Sequence, residues 1–253
     1  MTIVLAVLAA VAVWWLATAL AMYRLRKSPA TFPATFAAST LVAIISVWLI
    51  VGSADSASVL GAVAAFIGAV GVWSWHEIAY LIGYVSGPEP AACPPGASDG
   101  ERFRRGVNAC LYHEIAIVVT AVMLVVMLAG AANSVAAWTF SALWLMRWST
   151  KLNIFLGVRN LHTEFWPGHL KYLESYTRQR RMNALFPLSL VAAALGIWWV
   201  IDVWSGRGPG LYANVAATLV VTLLVLAVVE HLFLMMKVPD EWLWRPVLRL
   251  PTD

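Results

Sequence analysis

Seven apolar runs, each about the 20 residues that a helix needs to cross a bilayer, constrain this chain more than any motif in it. They cover residues 2–22, 35–52, 59–85, 106–129, 135–157, 184–204 and 211–236. Backbone amides have no water to bond inside a bilayer, so segments of this length must be helices that satisfy their own hydrogen bonds. Composition agrees. Charged residues make up 12% of the chain and hydrophobic ones 61%, where a soluble domain has about 25% charged residues. The expected fold is all-α, a polytopic membrane helix bundle of about seven transmembrane helices. Residues 1–253 form a single membrane domain whose first partner is the lipid bilayer.

Charge on the connections sets the expected orientation. Segment 23–34 carries Arg24, Arg26 and Lys27, segment 86–105 carries Arg102, Arg104 and Arg105, and segment 158–183 carries five Lys or Arg residues. The alternate connections are nearly free of basic residues; Arg207 is the exception. Lys and Arg mark the cytoplasmic side. The N-terminus is therefore expected in the periplasm, with 86–105 and 158–183 as cytoplasmic loops and 238–253 as a cytoplasmic tail. The first run lacks the leading basic residues of a secretory signal and is followed by three, so it reads as a retained helix. A net charge of +4 is accounted for by topology and points to no nucleic-acid partner.

The loops are not featureless. Segment 86–105 contains Pro88, Pro90, Pro94, Pro95, Gly96 and Gly100 and cannot be helical throughout. Leu170 to Arg181 has the basic and aromatic character of an interfacial helix. Fourteen tryptophans fit an aromatic belt near the run ends. Cys93 and Cys110 have neither metal nor disulfide spacing.

Charged and imidazole groups at membrane depth are costly and are read first as functional. Three of the five histidines sit directly beside a glutamate: His76-Glu77, His113-Glu114 and Glu230-His231. Ser149–Tyr176 adds His162, Glu164 and His169, preceded by Arg147 and Lys151. Under the expected topology, His76, His113 and His231 lie about 18, 12 and 9 Å from the cytoplasmic ends of their helices. His162 follows the fifth run at the same side. Nine candidate ligands thus share one leaflet: His76, Glu77, His113, Glu114, His162, Glu164, His169, Glu230 and His231. Adjacent helix positions point about 100° apart, so one pair seldom gives two ligands to one ion. In a bundle, His from one helix can meet Glu from the next.

Nitrogen and oxygen donors without thiolate suit iron, zinc or manganese. The second histidine of a zincin motif is missing, as is the ExxH pair of soluble di-iron bundles. Three readings follow: a divalent metal site such as iron, histidine ligation of a tetrapyrrole, or buried His–Glu hydrogen bonds that pin helices. Arg147 is expected to pair with an acid of the cluster. Lys151, four residues later and on the same face, is expected to snorkel toward the interface.

HEIAYLIGYVSGP, CPPG, YHEIAI, STKLNIFLGVRNLHTEFWPGHLKYLESY and MNALFPLS together resemble the PuhE-type photosynthetic complex assembly proteins of purple phototrophic bacteria. The resemblance covers roughly residues 60–190, most specifically Lys151–Tyr172. It implies a multi-pass protein of the bacterial inner, intracytoplasmic membrane that supports assembly of reaction-centre or light-harvesting subunits or the supply of bacteriochlorophyll. It transfers no catalytic residues. The alternative is a membrane metalloenzyme, a di-iron-type oxidoreductase acting on a lipid-soluble pigment or precursor. A scaffold with a purely structural polar core is the third expectation.

Overall fold

In the computed structural model, residues 2–161, 166–208 and 210–236 are described. They are helical throughout, apart from connections and one isolated bridge between Val158 and Gln179. The helices are α1 (Thr2–Leu25), α2 (Phe32–Ser53), α3 (Val59–Leu81), α4 (Asp99–Asn108), α5 (Leu111–Met127), α6 (Val135–Leu156), α7 (Leu185–Ser205) and α8 (Leu211–Met235). A short 3-10 turn at Pro29–Thr31 precedes α2, and a 3-10 stretch spans Gly168–Tyr176.

The apolar runs become helices, with instructive exceptions. Run 59–85 stops being helical at Leu81, because Gly83 turns into the left-handed region (φ +81) and the His169 ring bonds the Leu81 carbonyl. Run 106–129 is not one helix. Its first residues belong to α4, which meets α5 at 62° across the Ala109–Cys110 break. The crossing chain at Ser86–Gly87 explains the bend: the Ser86 carbonyl accepts from the His113 amide at 3.0 Å, and a Cβ on Gly87 would collide with the Asn108 carbonyl. Ser98 caps α4, accepting from the Glu101 amide. The interfacial α-helix expected at Leu170–Arg181 is instead the 3-10 stretch. It must end at Tyr176 because residues 178–180 are drawn out to bridge Val158.

Among the described residues five helices are long and apolar enough to cross a membrane, α1, α2, α3, α7 and α8, or six if the bent α4–α5 pair counts as one span. α6 is absent from that set although it has 22 residues, about 33 Å of helix. Its Arg147, Ser149, Thr150, Lys151 and Asn153 make it too polar.

α3 is the centre of the bundle. It packs on α2, α6, α1, α8 and α5, and its buried face runs from Gly61 to Tyr80. Gly68 and Gly71 allow the close approach to α2: a Cβ at either would strike Ile50 or Ser46. The connections gather at two ends. At one, Asn133 bonds the Ser53 and Ala54 carbonyls and Arg207 reaches Ser134. At the other, Cys93 bonds Ser175, Arg178 pairs with Asp99, and Arg159 and Asn160 bond the Leu234 carbonyl. Segments 86–105 and 158–183 therefore share one end of the bundle. The expected tail 238–253 lies outside the described residues.

Candidate functional site

Adjacent residues on a helix diverge, and each sequence pair splits accordingly. On α3, His76 turns to α5 and Glu77 to α6. The His76 Nε2 meets the Thr120 hydroxyl at 3.0 Å, and its ring lies edge-on to Phe140 and Trp75. Glu77 accepts from Arg147 at 2.9 Å through Oε2. Its other oxygen is 3.8 Å from His113 Nε2, too far for a hydrogen bond. On α5, His113 is fully buried and stacks on the Tyr80 ring at 4.5 Å. Among the described residues neither of its ring nitrogens has a hydrogen-bond partner. Glu114 points the other way and accepts from Lys151 Nζ and Trp148 Nε1, both at 2.5 Å.

On α8, His231 bonds the Ala227 carbonyl through Nδ1 at 2.8 Å and the Ser149 hydroxyl through Nε2 at 2.9 Å. A carbonyl can only accept, so Nδ1 donates and the neutral ring receives the Ser149 proton at Nε2. Glu230 makes no hydrogen bond or ion pair among the described residues; it lines a cavity together with Glu77 and Arg147. His169 stands apart from the others. Its Nε2 donates to the Leu81 carbonyl at 2.8 Å, closing the last turn of α3 as basic side chains do at helix C-termini.

Arg147 therefore pairs with an acid of the cluster, as the sequence indicated. Lys151 does not snorkel. Glu114 on the neighbouring helix lies within reach and offers a better partner than the interface does. Of the four His-Glu pairs expected to converge, three lie within the described residues, and their side chains take separate partners. His113 and His231 sit on helices that both pack on α6, with different partners. Among the described residues no group of three or more His, Cys, Asp or Glu is placed to hold a metal ion. Glu77 and Glu114 are already taken by a guanidinium and an ammonium. His162 and Glu164 lie outside the described residues.

The structure instead builds a set of acid–base pairs across helices: α3 to α6 through Glu77–Arg147, and α5 to α6 through Glu114–Lys151. Two cavities flank Arg147. One, of about 220 Å³ between α1, α3, α6 and α8, is lined by Glu77, Glu230, Ser74 and Trp14 among others. The second, of about 290 Å³, lies between α6, α4 and the 3-10 stretch and is mostly aromatic and aliphatic.

Several residues at the site were not singled out in the sequence. Tyr80 forms the floor under His113. Ser149 supplies a hydroxyl to His231. Asn153 is buried and bonds Ser189. Asn183 accepts from the Leu185 and Phe186 amides, starting α7, and donates to the Gly157 carbonyl. Arg102 of α4 is buried, bonds the Phe155 and Tyr176 carbonyls, and lies 3.9 Å over the Phe155 ring. An Asn immediately before an apolar run was a readable helix-start signal. The others depend on tertiary contacts.

No solved structure matches this chain. An uncharacterised 30.4 kDa protein in the puhA 5′ region of Rhodobacter capsulatus is 36% identical over 245 residues, covering 95% of this chain and 89% of that protein. Residues 1–252 match the family described as "Protein of unknown function (DUF3623)", and the chain belongs to that family.

Proposed function

We propose that this chain is a multi-pass factor of the inner, intracytoplasmic membrane of a photosynthetic bacterium, and that it supports assembly of reaction-centre or light-harvesting complexes. The observation that carries this reading is the near full-length relative whose gene lies in the puhA 5′ region, in a photosynthesis gene cluster. The PuhE-type motifs quoted above point the same way. In this reading α6 is the seventh span, tolerated in lipid because α3 and α5 neutralise its two charges. The N-terminus is periplasmic, and the Arg-rich end holding segments 86–105 and 158–183 is cytoplasmic. The chain acts as a binding and positioning factor. Two cross-helix ion pairs, Glu77–Arg147 and Glu114–Lys151, tie α3 and α5 to α6, which suits a rigid scaffold around cavities.

Deletion of the gene in a phototrophic bacterium that carries it, with complementation by this chain, tests the proposal. Near-infrared absorption of isolated membranes should show fewer assembled complexes while transcripts of their subunits stay level. Unchanged complex content would refute the assembly role. Stoichiometric iron or zinc in the purified protein would instead favour the metalloenzyme.

A further inference from the structure

The second cavity is unused by any role assigned so far, and its walls are chemically asymmetric. α6 contributes Arg147, Lys151 and Phe155 to it. These positions are four residues apart and so lie on one face, with Lys151 about 6 Å and Phe155 about 12 Å beyond Arg147 toward the end of the helix. In both ion pairs the acid is the more deeply buried partner. Side-chain exposure is 14% for Glu77 against 37% for Arg147, and 12% for Glu114 against 26% for Lys151. The cavity therefore meets the positive ends of the pairs. Those ends hold unspent donors: Lys151 has three N–H groups and Arg147 five. From Lys151 outward the walls are rings. Phe103 and Phe155 meet edge to face at 5.3 Å, and Tyr176, Trp166 and Leu170 complete the wall.

We infer that this cavity is a binding site for a single-chain or small-ring apolar acid, which enters from the Arg-rich end with its carboxylate or phosphate first. The anionic group lies against Lys151 and Arg147, and the apolar body lies along the wall that Phe103, Phe155 and Tyr176 form. Two observations favour a smaller acid over an ordinary bilayer phospholipid. The volume of about 290 Å³ sits at the small end of ligand pockets, which run from about 300 to 1,000 Å³. The cations also lie deeper than the aromatic rings, the reverse of a lipid whose headgroup stays at the interface. The site stands on the cavity alone and does not depend on the proposed role in assembly.

The test uses the full chain in phosphatidylcholine nanodiscs, with empty nanodiscs as the blank. The probe is cis-parinaric acid, a fluorescent polyene carboxylate, excited by transfer from tryptophan at pH 8. Saturable binding, displaced by oleate, is expected. The probe's methyl ester should bind at least about tenfold more weakly, since hydrogen bonds to charged groups are lost. A K151Q/E114Q double variant, which removes both charges of one pair together, should show the same loss for the acid and none for the ester. Equal affinity for acid and ester would overturn the site without relying on any variant. Displacement by phosphatidylglycerol but not oleate, or by inorganic phosphate alone, would also overturn it.

Discussion

Replacing Arg147 by Met should be the most damaging single change on α6, and the structure gives its size. The guanidinium donates to Glu77 at 2.9 Å, and Glu77 is 14% exposed. Its second oxygen is buried without a hydrogen bond. Removing Arg147 leaves that carboxylate with no cation, and Glu230 lines the same cavity. Breaking one side of a buried ion pair costs about 3–5 kcal/mol. Arg147 is itself 37% exposed, so the low end, about 3 kcal/mol, applies. For a chain of this length each kcal/mol moves the midpoint by about 2–4 °C, so the fall is about 6–12 °C. The assay is thermal unfolding in detergent followed by tryptophan fluorescence. The control is the double variant R147M/E77Q, which removes the stranded charge and should recover at least half of the loss. A Met variant that unfolds within a degree of the parent would refute the reasoning. So would a double variant no more stable than the single one.

Three further outcomes follow from the contacts. Single cysteines at Ser98 and Ser175 should react with an impermeant thiol reagent from the same side of the membrane, and one at Ser56 from the opposite side. Labelling of Ser98 and Ser175 from different sides would break the shared end that joins α4 to the 3-10 stretch. Gly87→Ala should destabilise the chain by about 1–3 kcal/mol, as overpacking does, because its methyl would meet the backbone at Asn108–Cys110; unfolding midpoints compared with Gly100→Ala, where no atom lies nearby, check this. Arg102→Met should raise hydrogen exchange in 99–108 and 168–176 while leaving α1 and α2 unchanged. Arginine stays charged throughout this range, so the effect should be flat between pH 6 and 9.

The helices were legible because span length and hydropathy act locally: each apolar run solves its own backbone problem without reference to the rest of the chain. The shared end of segments 86–105 and 158–183 was legible for a related reason, since charge on short connections tracks the side of the bundle. The bend at Ala109–Cys110 was not. It depends on Ser86–Gly87 crossing a helix start 20 residues later, a contact that leaves no periodic trace. The site was legible in part. Buried charges at membrane depth demand partners, and Arg147 took an acid as that demand requires. Which acid, and the pairing of Lys151 with Glu114, depended on how α5 and α6 rotate about their axes. The three adjacent His-Glu pairs suggested a common centre because they share depth. Depth is one coordinate, and the rotation of each helix decides the other two.

That rotation shows what the polar residues of α6 accomplish. Alone in lipid, α6 would carry two unneutralised cations and an exposed amide. In the bundle Glu77 meets the first cation, Glu114 meets the second, and Ser189 receives Asn153. These partners come from α3, α5 and α7, so only one angular setting of α6 satisfies all three. An apolar helix of the same length would be held by packing, which tolerates rotation through small steps; displaced ion pairs in a low-dielectric setting do not. The polar face thus fixes the register of the helix that walls both cavities. It also explains why His76 and His231 settle on hydroxyls and a carbonyl. Glu77 and Glu114 are held by cations, and His76 and His231 take Thr120, Ser149 and the Ala227 carbonyl instead.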